Sequence, residues 1–206
     1  MKYKAVFWDI DGTLYGMQPI RDDEVPIWNR MHKTDWMPDE MPDFLRPHYR
    51  LVELMASIPK ARQGIITNGR EDLQKGKLDL MDLAKYVNPD LVFTSYGEAQ
   101  KVVDDSDHPL MTRFDEVPDD VFDLTVMQTQ KPKTYMYERA LEACGFAPEE
   151  CVMIGDDWKD IDGANGVGMD TIYIARNKQR LIDDGKVVPN HTVENGDFDS
   201  LTELLI

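Results

Sequence analysis

Asp9 and Asp11 stand two residues apart at the end of the apolar run Ala5–Val6–Phe7–Trp8, and Gly12 follows them. Alternate residues of a strand point to one side, so the two acids face one spot if the strand extends that far. Carboxylates about 4 Å apart repel by about 4 kcal/mol at an effective dielectric near 20. Such a pair calls for a cation or a shared proton. Gly12 lets the backbone leave the strand without a steric penalty. Other polar groups close other apolar runs: Thr67–Asn68–Gly69 after Gly64–Ile65–Ile66, and Gly155–Asp156–Asp157 after Cys151–Val152–Met153–Ile154, with Asp160 three residues on. Lys131 precedes Pro132 and a helical pattern.

These residue types suit phosphate chemistry. A carboxylate can attack phosphorus and form an aspartyl phosphate. Acids from two strand ends make an oxygen-rich Mg²⁺ site. Thr67 and the amides of Asn68 and Gly69 precede a helix, a natural place for a phosphate, and Lys131 adds positive charge. Uncatalysed monoester hydrolysis needs accelerations of up to about 10²¹-fold, which asks for several such groups at once. Each feature alone has a plainer explanation. Asp-x-Asp-Gly reads as an acidic turn, Thr67 or Asn68 as a helix cap, Lys131 as an exposed residue ahead of a helix begun by Pro132, and Gly155–Asp156–Asp157 as a turn. Those explanations do not account for the order of the groups at successive strand ends.

The elements that must position them alternate in type. Strands are expected at 3–9, 63–66, 91–94, 151–154 and 171–174, with a last short one within 187–193. Helices are expected at 47–57, at 71–85 with Leu73, Gly76, Leu80, Leu83 and Ala84 on one face, from Lys131–Pro132 to Cys144, at 160–165 and at 198–205. Gly145 is a C-terminal stop. The alternation implies an α/β fold with a parallel sheet and right-handed crossovers. In such sheets the functional groups lie beyond the carboxyl ends of the strands, where the polar groups above fall. Residues 15–45, rich in Pro, Met, Trp and Asp, read as a small helical cap inserted on a core formed by 1–14 and 46–206. Residues 97–130 read as a long, acidic, irregular loop within that core.

Composition narrows the classes. Lys and Arg total 23 against 39 Asp and Glu, a formal charge of −16, so the surface repels nucleic acid and anionic membranes. No apolar run approaches the roughly 20 residues of a membrane span. The N-terminus lacks the shape of a signal peptide. Cys144 and Cys151 make neither a metal motif nor a disulfide framework, so a reduced, cytoplasmic protein is expected.

Asp9–Ile10–Asp11–Gly12–Thr13–Leu14, Ile65–Ile66–Thr67–Asn68–Gly69, Lys131–Pro132 and Gly155–Asp156–Asp157–Trp158–Lys159–Asp160, in that order, resemble the four motifs of the haloacid dehalogenase superfamily. Gly163 to Met169 and Pro189 to Val193 are similar to it as well. The resemblance covers the core but not 15–45 or 97–130. It implies a Rossmann-like three-layer α/β/α core and a Mg²⁺-dependent phosphatase acting on a small phosphorylated metabolite. Asp9 would be nucleophile and Mg²⁺ ligand. Asp11 would bind Mg²⁺ through its backbone carbonyl while its side chain exchanges protons. Thr67, Asn68 and Lys131 would hold the phosphoryl group. Asp156 would complete the metal shell, and Asp157 or Asp160 would hold metal-bound waters or orient Lys131. An acid at position 11 argues for phosphoryl transfer over dehalogenation. A phosphotransferase or mutase, or a phospho-accepting signalling domain of the receiver type, are the alternatives. Arg21, Trp28, Trp36, Arg46, His48, His108 and Arg113 are candidate substrate contacts, each more simply explained by packing or exposure.

Overall fold

The computed structural model describes residues 1–16, 20–33, 36–105, 107–110, 120–175 and 187–206. Six strands, β1 (Ala5–Trp8), β2 (Gln63–Thr67), β3 (Val92–Thr94), β4 (Cys151–Gly155), β5 (Asp170–Ala175) and β6 (His191–Glu194), form one sheet in the order β3-β2-β1-β4-β5-β6. Every neighbouring pair is parallel. The chain moves outward from β1 to β3 and then crosses back to β4, which places the switch point of the sheet at β1. Trp8 is in register with Ile65 of β2 on one side and Ile154 of β4 on the other.

A parallel sheet covered on both faces needs strands that are apolar on both faces, and β1 is buried throughout. Its alternate residues serve opposite layers. Val6 and Trp8 pack with Leu51, Leu54 and Met55 of α2 (Tyr49–Ser57), Leu78 of α3 (Glu71–Leu80) and Leu201 of α8 (Phe198–Leu205). Ala5 and Phe7 pack with Met136, Tyr137 and Ala140 of α6 (Tyr135–Cys144) and Ala164 of α7 (Trp158–Gly166). The result is the three-layer α/β core that the alternation of elements implied.

The described residues of 15–45 hold α1 (Val25–Lys33) and a 3-10 turn, Asp43–Leu45. Tyr15, Met31, Phe44 and Leu45 belong to the same apolar cluster as Trp8 and Leu51, so this segment is seated directly on the core. The described residues of 97–130 are more regular than expected. They contain most of α4 (Ser95–Asp104) and all of α5 (Val121–Thr129), which meet at Val102 and Val121. The helix expected at 71–85 stops at Leu80, and Asp82 adopts φ 56° just beyond it. Gly145 ends α6 at φ 70°, the left-handed stop its position suggested. Among the described residues no helix is long and apolar enough to cross a membrane.

Candidate active site

Asp9 follows β1 directly. Its N–H donates to the Ile154 carbonyl at 2.9 Å, extending the ladder one residue past the strand. The chain then turns, with the Thr13 and Leu14 amides donating to the Ile10 carbonyl. Period-two alternation ends at that turn, so the carboxylates of Asp9 and Asp11 do not share one partner: Asp9 meets Lys131, and Asp11 meets α3.

Lys131 is the hub of the site. It is 6% exposed, which corrects its plain reading as a surface residue, and α6 begins only at Tyr135, so Pro132 lies before the helix. Its ammonium donates to Asp9 Oδ1 at 2.5 Å, Asp160 Oδ1 at 2.5 Å and the Ile66 carbonyl at 3.2 Å. These partners use all three donors of the ammonium. Asp160, not Asp157, therefore meets the lysine. Asp157 caps α7, accepting from the Lys159 amide, while Asp160 Oδ2 accepts from the Asp157 amide to complete a capping box.

Asp9, Asp156 and Asp160 each bring one carboxylate oxygen within 4.8 Å of the others, and all three are buried. The close approach is possible because residue 12 is glycine. A Cβ there would lie 2.2 Å from Asp156 Oδ2, and Gly12 adopts φ +93°. Three acids crowd one lysine, and the electrostatics reflect it. Burial pushes Asp9 up to about 7; Lys131 pulls it down, while the charges of Asp160 and Asp11 push with the burial. Burial likewise raises Asp160 against the pull of Lys131. Burial disfavours the charged ammonium of Lys131, yet Asp160 and Asp9 outweigh it and hold the group well above an ordinary lysine. An all-oxygen set with this excess of negative charge suits a hard divalent cation.

The turn after β2 sits alongside. Thr67 is buried at the strand end. Asn68 clasps the peptide of Lys131: its Oδ1 accepts from Lys131 N at 2.8 Å, and its Nδ2 donates to Lys131 O at 3.4 Å. The Gly69 amide, expected to face a phosphate, donates instead to Ser95 Oγ at 2.9 Å. The Asn68 side chain and the Gly69 amide are thus structural fasteners in this state.

Asp11 is held from α3 and from its own turn. Lys77 Nζ donates to Oδ1 at 2.6 Å, Gln74 Nε2 to Oδ2 at 3.0 Å, and the Tyr15 hydroxyl to Oδ1. Burial opposes ionisation here, but Lys77, Tyr15 and Gln74 together keep Asp11 below the usual carboxylate range. Gln74 and Lys77 were absent from the sequence-based candidates. Their signal was spacing: Gln74, Lys77, Leu78 and Met81 fall at i, i+3, i+4 and i+7, one helical face that is wholly buried.

The other candidates have structural partners. Arg21 and Arg46 pair with Asp43, and Trp28 packs edge-on to Phe44. Arg30 lies over Trp36 at 4.1 Å. His48 accepts from the Arg50 amide and stacks on Phe198, and His108 Nε2 lies 3.2 Å from the Tyr135 hydroxyl. Arg113 lies outside the described residues.

Residues 128–203 match a family model described as HAD-hydrolase-like. The haloacid dehalogenase-like hydrolase domain-containing protein 2 of Mus musculus is 40% identical over 68 residues, 32% of this chain and 26% of that protein. The glyceraldehyde 3-phosphate phosphatase of Pyrococcus furiosus is 38% identical over 55 residues, 26% of this chain and 23% of its own length. The matched segments thus span about a quarter of these relatives. Among solved structures, the HAD-hydrolase YfnB of Bacillus subtilis bound to magnesium superposes with a TM-score of 0.62 at 14% identity, covering 100% of this chain and 99% of its own. The L-2-haloacid dehalogenase of Xanthobacter autotrophicus gives a TM-score of 0.59 at 15% identity over 99% of this chain and 100% of its own. At these identities the shared feature is the fold, and it hosts more than one reaction.

Proposed function

We propose that the chain is a haloacid dehalogenase-like hydrolase and that it hydrolyses a small phosphate monoester through an aspartyl phosphate on Asp9, with Mg²⁺ as cofactor. The observation that carries this reading is the Asp9 carboxylate, buried at the carboxyl edge of the sheet against Lys131 and beside Asp156 and Asp160. A carboxylate so placed is a nucleophile whose approach to a phosphate dianion needs positive charge. Asp9 and Asp156 would hold the cation with the Asp11 carbonyl, and the nearness of Asp160 adds a further oxygen to that set. Bound there, Mg²⁺ supplies charge neutralisation for the incoming phosphate.

Asp9 attacks phosphorus as the bond to the leaving oxygen breaks. Lys131 balances the charge of the phosphoryl group, the Thr67 hydroxyl lines its seat, and Asn68 serves it by holding the Lys131 peptide in place. Asp11 gives a proton to the leaving oxygen and later takes one from water. The acid at position 11 favours this chemistry over dehalogenation, and one relative over a quarter of this chain is named a phosphatase. Phosphate release from a panel of phosphate esters, with and without Mg²⁺, tests the proposal with the native protein and Asp9→Asn. Turnover that requires Mg²⁺ and disappears in Asp9→Asn supports it. Equal activity in the variant removes Asp9 as nucleophile, and transfer of phosphate to an added acceptor without release replaces hydrolysis by transfer.

A further inference from the structure

Lys77 is 7% exposed and Gln74 is 4% exposed, one helical turn apart on α3. A lysine is rarely buried unless paired. A buried ion pair is weak evidence for stability, because desolvation offsets the attraction. Lys77 therefore calls for a reason other than fold stability, and its partner supplies one. That partner is Asp11, two residues beyond the proposed nucleophile, at 2.6 Å. Gln74 Nε2 reaches the other Asp11 oxygen at 3.0 Å and also the Asn68 carbonyl at 2.7 Å. One side chain thus links the turn after β1 to the turn after β2. Gln74 lies close against the latter: a Cβ on Gly69 would come within 2.9 Å of Gln74 Nε2.

An ammonium, an amide N–H and a phenol O–H all donate to Asp11. Every one of these contacts uses an acceptor oxygen, so the arrangement orients the ionised Asp11, the form that remains once its proton has gone to the leaving oxygen and that then receives one from water. Gln74 adds a second opportunity. Its Oε1 is buried and has no hydrogen-bond partner, an unsatisfied acceptor beside the same carboxylate. An acceptor pair of this kind fits a water molecule, which has two hydrogens to donate.

We propose that Lys77 and Gln74 are positioning residues for the second half of the reaction, in which water cleaves the Asp9 phosphate; this rests on the function proposed above. Water oxygen bonds to phosphorus, and one water proton passes to Asp11. The bond from phosphorus to Asp9 breaks, and its electron pair returns to Asp9 as carboxylate. Lys77 and Gln74 fix the direction in which Asp11 accepts that proton, and Gln74 Oε1 takes the second hydrogen bond of the water.

The test uses the full chain with Mg²⁺ and p-nitrophenyl phosphate, whose leaving group departs without a proton. Lys77→Met slows only the second half. Its kcat falls about 10²-fold, the scale of a mispositioned base. KM falls with it, so that kcat/KM changes by less than about fivefold. Acid-quenched Lys77→Met carries a trapped phosphate on Asp9 at steady state, well above the native level, and Lys77→Arg recovers most of kcat. Equal losses in kcat and kcat/KM, without accumulated phosphoenzyme in a variant that unfolds as cooperatively as the native chain, overturn the positioning role. Failure of the native chain to turn over any ester overturns the proposed function itself, and the positioning role with it.

Discussion

Lys131 Nζ lies 2.5 Å from Asp9 Oδ1, although the two residues are 122 positions apart. The same ammonium is 2.5 Å from Asp160 Oδ1. One cation therefore restrains two buried acids, and removing it leaves both uncompensated. Lys131→Met is expected to cost about 3–5 kcal/mol of stability, the range for breaking a buried pair. Urea unfolding monitored by circular dichroism measures it, and phosphate release falls by at least about 10²-fold, as for loss of one preorganised charge donor.

On the proposed function, proton and metal compete for the same carboxylates. The folded pKa of Asp9, about 7, lies above the ordinary 3.8. A raised carboxylate pKa favours the folded state fully below the ordinary value, and that contribution is lost as pH rises through about 7. A cation at Asp9 must displace the proton, so its affinity rises over the same window. The increase in Tm caused by Mg²⁺ is expected to be small near pH 5 and to grow to a plateau by about pH 8. A shift that is independent of pH would detach the metal from Asp9.

Gly12 sits under the carboxylate of Asp156. Gly12→Ala combines a Cβ 2.2 Å from Asp156 Oδ2 with φ +93°, a conformation costing about 1–3 kcal/mol in a residue with a side chain. Thermal unfolding is expected to show at least that loss. Isothermal titration is expected to show weaker Mg²⁺ binding, because Asp156 must move.

Asn68 touches the peptide of Lys131, not its ammonium. Asn68→Ala removes the two contacts at 2.8 and 3.4 Å, worth about 1–2 kcal/mol together. The expected result is a rise of about tenfold in the inhibition constant of inorganic phosphate, read by competition kinetics, with Asp9 phosphorylation still detectable.

The sequence was informative where chemistry and hydrophobicity change together. An unbroken apolar run ending in acids marks β1 and Asp9, and the same contrast marks β2 with Thr67 and β4 with Asp156. It was less informative where polar residues turn inward. Gln74 and Lys77 lie off the face assigned to Leu73, Gly76, Leu80, Leu83 and Ala84, while the buried row runs through 74, 77, 78 and 81. Their spacing marks the buried row, but their polar types point away from burial until Asp11, a partner more than 60 positions away, is in place. Helix α5 was missed for a related reason. Its residues lack a strong apolar stripe, and packing against α4 sustains it. The separation of Asp9 from Asp11 followed from a turn at Ile10 that the residue types permit but do not require.

Helices α4 and α5 are fastened at their proximal ends. Thr129 Oγ1 donates to the Ser95 carbonyl, Ser95 Oγ accepts the Gly69 amide, and Lys131 follows two residues after Thr129, held by Asn68. The pair thus stands on a base that carries site residues in both of its feet. Seen this way the two helices are an anchorage: the hydroxyls of Ser95 and Thr129 tie their near ends to the turn that carries Asn68, and Lys131 keeps its register with Asp9.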